Sequence, residues 1–515
     1  YTNHSLALKA DGTVYGWGSS GDYQLGSAYT QLSPVKMPAP IYLNNSNESM
    51  TGIVMIAVGD RHSMALSGDG TVWAWGNNGS GQVGVNSTED SIPNPRKVVK
   101  ADGEELDRVI AIAAGAYHSL ALTEDGEVYA WGSNDQGQLG IGRTPDGDEG
   151  VRSLAYAEKI QDLGEIIQLS AGGNFSVALS ADGTVYTWGD NRGGQLGIGQ
   201  TSSQRPRALS PMGVGATSGG SRTMYVVEIA AGGQTVYEGA TNRPQGHVQA
   251  LSINTNGSTE VWGWGVNMYG ELGDRTSSGG ISNVPVQAEW GQTVTNVVSL
   301  AVGNDHTVAT TADGRAFAWG YNNSHQLGRG GNSDVASSDQ GFEPKEVWGS
   351  QNANYVRQST ISEEFGAVVG VTAGLDYTLF WFSDGTVRGV GSNSYGRLGN
   401  DTQTGLVSIP VLTGGSFEES LIFNKVWVYT NEMDPVTGLP TGDSSLSARY
   451  ASVPGIFQET DPVALEIAEK LLPEVLTITN EQYIVVYKEG VSQYYDVGFN
   501  LSERNRANGY ETDSD

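Results

Sequence analysis

The sequence predicts an all-β fold, a seven-bladed β-propeller of four-stranded blades closed by a C-terminal strand, with a small α+β extension behind it. Three observations predict it. A segment of the form HSLALTEDGEVYAWGSNDQGQLG, residues 118–140, comes round seven times; its relatives begin at His4, His62, Phe175, Val248, His306 and Tyr377 and end at Gly26, Gly84, Gly197, Gly273, Gly328 and Gly399. The starts lie mostly about 57 residues apart, and a fixed period of that size marks propellers and solenoids. From the second repeat onward a β-branched run closed by glycine comes first, and an Asp-Gly pair sits between two further apolar runs in most repeats.

The elements follow in order. Strand A is the run IVMIAVG from Ile53, with VIAIAAG, EIIQLSAGG, VVEIAAGG, VVSLAVG and VVGVTAG after it. Nearly continuous Val, Ile and Ala suits an innermost strand covered on both faces. Strand B is HSLAL or its equivalent, and Asp-Gly pairs at Asp11, Asp69, Asp125, Asp182, Asp313 and Asp384 turn the chain, with positive φ expected at both turn residues. Strand C is VYAWG-like, and a turn ending in Gln-Leu-Gly or a near variant leads to strand D. Proline near strand D, at Pro34, Pro95, Pro206, Pro285 and Pro410, fits an outer edge that can spare a backbone donor.

The first repeat has no strand A, since only three residues precede His4, while KVWVYTN from Lys425 has that pattern and no strand B after it. It is expected to pair beside the residues following His4 and seal the ring. The propeller then spans 1–431 and the extension 432–515, with a helix from Asp461, capped by Asp and carrying Pro462 at its first position, strands from Val475 and Gln482, and an acidic tail.

The combination of strand A glycine, HSLAL, Asp-Gly, VYAWG and GQLG resembles the regulator-of-chromosome-condensation repeat family over roughly residues 1–431, in its bacterial secreted or surface type. The resemblance implies the propeller fold and leaves function open, since similar repeats occur in exchange factors for a small GTPase, a plant ultraviolet-B photoreceptor, a secreted β-lactamase inhibitory protein and bacterial surface proteins. Departures are local: Phe175 stands for histidine in blade four, blade five carries an insertion from about Gln234 to His247 and Asn256-Gly257 at its turn, and Val390 replaces tryptophan in blade seven.

Composition excludes some classes. Lys and Arg number 28 against 57 Asp and Glu, a formal charge of −29, which argues against nucleic acid or an anionic membrane as partner. There is no cysteine to staple the chain and no apolar run long enough for direct membrane insertion. Because Tyr1 falls inside a repeat and is not Met, an upstream segment is expected, which could include a secretion signal.

Motifs that tempt a catalytic or cofactor reading give way to structural ones. His4, His62, His118 and His306, usually followed by Ser or Thr, recur around a ring and cannot converge on one scissile bond, so each reads as a histidine satisfied by its own blade. Residues 79–84 match GxGxxG without opening a helix, so no cofactor is expected. Trp17, Trp75, Trp131, Trp188, Trp264 and Trp319 share a strand C position and are expected to pack between blades. Arginine is too scarce beside them for a photoreceptor, and the acidic chain without a basic arm disfavours an exchange-factor-like regulator. The acidic loop at Asp146 lacks the spacing of a calcium loop, and Asn-x-Ser/Thr sites at Asn44, Asn47, Asn78, Asn86 and Asn322 are expected by chance in such a composition.

Because strands alternate in direction, the A–B and C–D loops emerge together, opposite the Asp-Gly turns. That rim is expected to carry Tyr23, Asp60, Arg61, Tyr117, Asn134, Asp135, Met268, Tyr269, Asn304, Asp305, Tyr321, Asp376 and Tyr395. Tyrosine among Asn and Asp suits recognition of a protein or glycan, although turn formers around a narrow channel would read the same way. The expected protein is therefore a non-enzymatic, extracellular or cell-surface propeller that binds a macromolecule or serves as a subunit of a larger surface assembly, with docking of 432–515 into a neighbouring subunit as one route to the latter. The alternatives are a secreted inhibitor of an enzyme and an enzyme with its site at the channel mouth.

Overall fold

The computed structural model describes residues 4–413 except 10, 33, 45–47, 144–149, 210–224, 234–245, 254–258, 277–279, 292–293, 295, 331–340, 352–356 and 403–404, and beyond them the strands Phe423–Tyr429, Arg449–Pro454 and Tyr483–Val486. The helix expected from Asp461, the strand from Val475, the acidic tail, the loop at Asp146 and most of the blade five insertion lie outside the described residues.

Seven antiparallel sheets follow one another as blades of a propeller ring. Blades two to seven each have four strands in chain order, from Ile53–Val58, His62–Ser67, Val72–Asn77 and Ser91–Lys97 in blade two to Val368–Ala373, Tyr377–Phe382, Val387–Ser392 and Leu406–Leu412 in blade seven. The β-branched runs are the innermost strands, as expected, and their small residues wall a central cavity of about 390 Å³. Every A–B pair carries an irregular register at the same place, as between Ile53 and Met55 or Val109 and Ala111, which sharpens the local twist. The glycine closing strand A is required: a Cβ on Gly59 would sit 2.2 Å from the His62 ring and 2.6 Å from the Gly115 carbonyl.

The Asp-Gly turns differ from expectation in one respect. Only the glycine has positive φ, 77° at Gly12 and 84° at Gly70, and Gly12 N–H donates to the Lys9 carbonyl at 2.9 Å. This is a type I turn followed by a left-handed glycine, and the aspartate holds it by accepting the N–H two residues on, as Asp11 Oδ1 does from Thr13 at 2.9 Å. Aspartate therefore has no need of the left-handed region.

The tryptophans pack between blades, and each one also ties a blade to its predecessor. Trp75 Nε1 donates to the Gln24 carbonyl at 2.9 Å, Trp131 to Gln82 at 2.9 Å, Trp188 to Gln138 at 2.9 Å, Trp264 to Gln195 at 3.0 Å and Trp319 to Glu271 at 2.9 Å. A second tie runs beside it. His4, His62 and His118 Nε2 each lie 2.9 Å from the hydroxyls of Ser63, Ser119 and Ser176 in the following blade, and those hydroxyls donate to the same glutamine carbonyls. A serine that gives its one proton to a carbonyl can only accept from the imidazole, so the proton sits on Nε2.

Blade five corrects the sequence reading. His247, not Val248, occupies the histidine position: it pairs with Gly265 as His62 pairs with Gly76, and its Nε2 lies 2.8 Å from Thr307 Oγ1. Val248 takes the serine position, and its counterpart across the seam is Phe175, so both polar partners are lost together and the two pack in one apolar cluster.

The strand expected to seal blade one does not pair there. Phe423–Tyr429 lies between Arg449–Pro454 and Tyr483–Val486, with Val426 opposite both Ala451 and Val486. Both its edges are taken, so no ladder remains for the residues after His4, and blade one has three strands among the described residues. Side chains join the ring there. Trp17 Nε1 donates to the Arg397 carbonyl at 2.8 Å, and Tyr377, standing where other blades have histidine, places its hydroxyl 2.9 Å from Ser5 Oγ. That hydroxyl also donates to the His4 carbonyl at 3.2 Å, the counterpart of the His62 carbonyl that accepts the Gly59 N–H in blade two. Between blades six and seven the chain adds a hairpin, Trp348–Gln351 with Arg357–Thr360, and a short helix Ile361–Phe365 opened by a Thr360/Glu363 capping box.

Candidate binding face

In each blade the A–B turn meets the start of the C–D turn, so two loops share one rim. Asn77 N–H donates to the Arg61 carbonyl at 2.9 Å, Ser133 to Tyr117 at 2.8 Å, Tyr321 to Asp305 at 2.7 Å and Ser392 to Asp376 at 3.0 Å. Of the rim residues named from sequence, Asp135 and Tyr395 are exposed; Tyr23, Arg61, Tyr117, Met268, Tyr269, Asn304, Asp305, Tyr321 and Asp376 are half-buried.

Two of them serve the scaffold. Asn134 is fully buried, accepts the Leu139 N–H at 3.2 Å and donates to the Arg143 and Val151 carbonyls. Asn78, Asn191, Asn267, Asn322 and Asn393 accept from the residue five further on in the same way. The fixed offset to the leucine of Gln-Leu-Gly was the available signal, and it also removes Asn78 and Asn322 as accessible glycan acceptors. Asp60 is buried at 5% exposure.

Much of the rim's charge is paired internally. Arg61 lies 3.3 Å from Asp22, Arg152 3.4 Å from Asp135 and Arg192 2.7 Å from Asp190, while buried Arg397 pairs with Asp376 and lies over the Tyr377 ring. Asp22, Asp190, Arg192 and Arg397 were not among the residues named from sequence; Arg397 was visible as Gly-Arg-Leu-Gly in place of Gly-Gln-Leu-Gly. Tyr23 has φ 64° where blades two to five carry Gly81, Gly137, Gly194 and Gly270 at φ 73–84°, and Tyr395 has φ 63°. Left-handed backbone costs a side-chain-bearing residue about 1–2 kcal/mol, so these tyrosines are held against a local preference.

The seam between blades five and six gathers the most candidates. The Tyr269 and Tyr321 rings lie 4.3 Å apart, Tyr269 N–H donates to Glu271 Oε2 at 2.7 Å, and Asn304 Nδ2 donates to Asp305 Oδ2 at 2.7 Å. Glu271 replaces the repeat's glutamine and is fully buried; burial first, and the charge of Asp305 second, push its carboxyl well above the usual range. The buried histidines behave oppositely. Burial lowers His62, His118 and His306 from 6.5 to about 3, so they stay neutral and act as inter-blade donors. The serines beside them are buried and aimed at carbonyls, which gives them no approach to a substrate. Among the described residues no group of three or more His, Asp or Glu could hold a metal ion.

Repeated antiparallel blades zipped at most seams by a buried Trp, a buried His or both define a repeat propeller with a loop-built rim. The repeats are those of the regulator of chromosome condensation, RCC1: the RCC1-like domain matches residues 2–237, and the RCC1 repeat matches 259–310, 313–381 and, in a second form, 297–326. The chain is 30% identical over 402 residues to human E3 ubiquitin-protein ligase HERC2, covering 77% of this chain and 7% of that protein. It is 31% identical to the ultraviolet-B receptor UVR8 of Arabidopsis thaliana, covering 64% of this chain and 66% of the receptor. Among solved structures, human WBSCR16 superposes with a TM-score of 0.61 at 22% identity over 78% of this chain and 94% of that one. Yeast RCC1 (Prp20), solved bound to Kap60, gives 0.61 at 20% identity over 90% and 93%. These two likenesses show the fold.

Proposed function

We propose that the chain is a non-enzymatic propeller that binds a protein through the rim formed by its A–B and C–D turns, as a recognition module or a subunit of a larger surface assembly. The observation that carries this is the convergence of half-buried and exposed tyrosines with Asp, Asn and Arg on one rim, Tyr23 being held in left-handed backbone where blades two to five and blade seven carry glycine. Rigid aromatic anchors among adaptable polar groups suit a protein contact at low entropic cost. Support by analogy comes from Prp20p, whose solved structure is described with binding to Gsp1p and histones. An extracellular or cell-surface location, and a glycan as the ligand of the same tyrosines, are finer parts of this reading.

The test is a partner captured by cross-linking from the native source and then titrated against purified variants. Tyr23→Ala, Tyr269→Ala and Tyr395→Ala together are expected to weaken it more than tenfold with the fold intact by circular dichroism. A triple change at Asp69, Asp125 and Asp384 on the opposite rim is expected to leave binding unchanged. Equal loss from both triples would sink the rim as the contact surface, and labelling of intact cells with an antibody checks the location.

A further inference from the structure

We propose that the rim at the seam between blades five and six is a receptor for one cationic side chain of the partner, a guanidinium held by Glu271 and Asp305 beside the paired rings of Tyr269 and Tyr321. The inference rests on the rim being a protein contact and names the chemistry it reads.

The argument starts from what the repeat does elsewhere. In blade three the glutamine at this position, Gln138, accepts the Gln136 N–H on Oε1 and donates from Nε2 to Ser133 Oγ at 3.2 Å and to Asn174 Oδ1 of the next blade at 3.4 Å. Blade two keeps the link within the blade, Gln82 donating to Asn77 at 2.7 Å, with Tyr117 at the following blade's position. At the blade five seam all three members have changed. Glutamine is Glu271, the serine or asparagine position is Val266, and the asparagine of the following blade is Asp305. A donor and two acceptors have become two carboxylates and an apolar residue.

The consequence is visible in the structure. Glu271 Oε2 still accepts the Tyr269 N–H, but Oε1 is buried with no hydrogen-bond partner, on a residue with no exposed surface. Asn304 Oδ1, next to Asp305, is a second buried acceptor without one. A buried carboxylate oxygen facing another acid calls for a donor that brings positive charge.

The surroundings choose which donor. Tyr269 and Tyr321 lie side by side at 4.3 Å, each tied to one of the acids, Tyr269 through its N–H to Glu271 and Tyr321 through its N–H to the Asp305 carbonyl. Flat aromatic walls beside a carboxylate pair fit the planar, multi-donor guanidinium better than a compact ammonium. The chain's charge of −29 draws such a partner in from a distance. Burial and the charge of Asp305 favour the protonated form of Glu271, and a bound guanidinium favours its carboxylate, so uptake of the cation is expected to be linked to release of a proton.

The experiment titrates N-acetylarginine amide into the full chain by calorimetry at pH 7, in two buffers of different ionisation enthalpy. Saturable one-site binding is expected, with heats that differ between buffers by the release of a proton. The isosteric citrulline amide is expected not to bind. Glu271→Gln, which restores the repeat's own residue and so keeps the fold, is expected to bind at least tenfold more weakly and to abolish the buffer dependence; Asp305→Asn is expected to weaken binding while retaining it. Equal binding of arginine and citrulline amides, unchanged affinity in Glu271→Gln, or heats no larger than dilution would each overturn the proposal. If the partner is lost with the tyrosine triple while Glu271→Gln leaves arginine amide binding untouched, only this inference fails. If the partner survives the triple while arginine amide still depends on Glu271, the rim reading fails instead.

Discussion

Within blade five, burial disfavours a second ring proton on His247 and favours a proton on Glu271. The histidine gives its Nε2 proton to a hydroxyl one blade on, and replacing either partner alone leaves a buried polar group unsatisfied, at a cost of about 1–3 kcal/mol. Nature's own exception, Phe175 with Val248, shows the seam closing without both. His62→Phe alone and Ser119→Val alone are therefore each expected to lower the urea midpoint, and the double change to recover part of the loss, as a double-mutant cycle would read. Trp131→Phe keeps the packing and removes one donor to the Gln82 carbonyl, for about 1 kcal/mol in the same assay. For Glu271 the sign is opposite to that of an ordinary paired acid. Its folded value lies above 4.5, so its contribution is complete below 4.5 and is lost as pH rises through the folded value. Glu271→Gln is accordingly expected to raise the thermal midpoint at pH 7, with the gain vanishing below about pH 4.5, and a flat difference between the two proteins across that range would refute it.

At the scale of single elements, what decides legibility is whether the information is local. Strands A to D could be read from alternation, β-branching and Asp-Gly pairs because each is fixed by its own few residues. The partner of Phe423–Tyr429 could not. Its Val-Trp-Val pattern specifies a strand, but the backbone edges of all strands are chemically alike, so the pattern does not say which neighbour takes them. His247 was hidden by the insertion that precedes it, which removed the spacing used to align the other blades. The helix at Ile361–Phe365 went unread although Thr360 and Glu363 spell a capping box, because a five-residue helix has no periodicity to detect. The rim was legible as a topological consequence of antiparallel strands; which of its side chains belong to the scaffold was not, since Asn134 and Asp135 look alike until the Leu139 N–H is seen to need one of them. The turns supply a clean test. Gly126 has φ 76°, and a would-be Cβ meets Glu165 and Ile166 no closer than an ordinary van der Waals contact, 3.6 Å, so Gly126→Ala is expected to cost about 1 kcal/mol through backbone strain, measured as a shift in urea midpoint at unchanged slope.

For the whole molecule, five neutral buried histidines act in concert. His4, His62, His118, His247 and His306 are each lowered to about 3 by burial, against 6.5 when exposed. The unfolded chain takes up protons first as pH falls, so the stability they allow is complete above 6.5 and declines toward 3, by about 2 kcal/mol for each histidine at pH 5. Summed over five, that rivals the net stability of an ordinary domain. Unfolding followed by tryptophan fluorescence is expected to set in while the carboxylates are still ionised, and to move to lower pH in the His62→Phe/Ser119→Val protein. A midpoint that ignored that double change would show the histidines to be bystanders.

Two seams interrupt the circuit of imidazole and hydroxyl: Phe175 with Val248, where an apolar contact replaces that pair, and Tyr377 with Ser5, where a phenol stands in and blade one has no inner strand among the described residues. Two joints divide a circle into two arcs, here blades one to four and blades five to seven. At those joints the tryptophan tie works without the paired imidazole and hydroxyl beside it, so loss of the Trp264 or Trp17 donor is expected to loosen its seam more than loss of the Trp131 donor loosens its own.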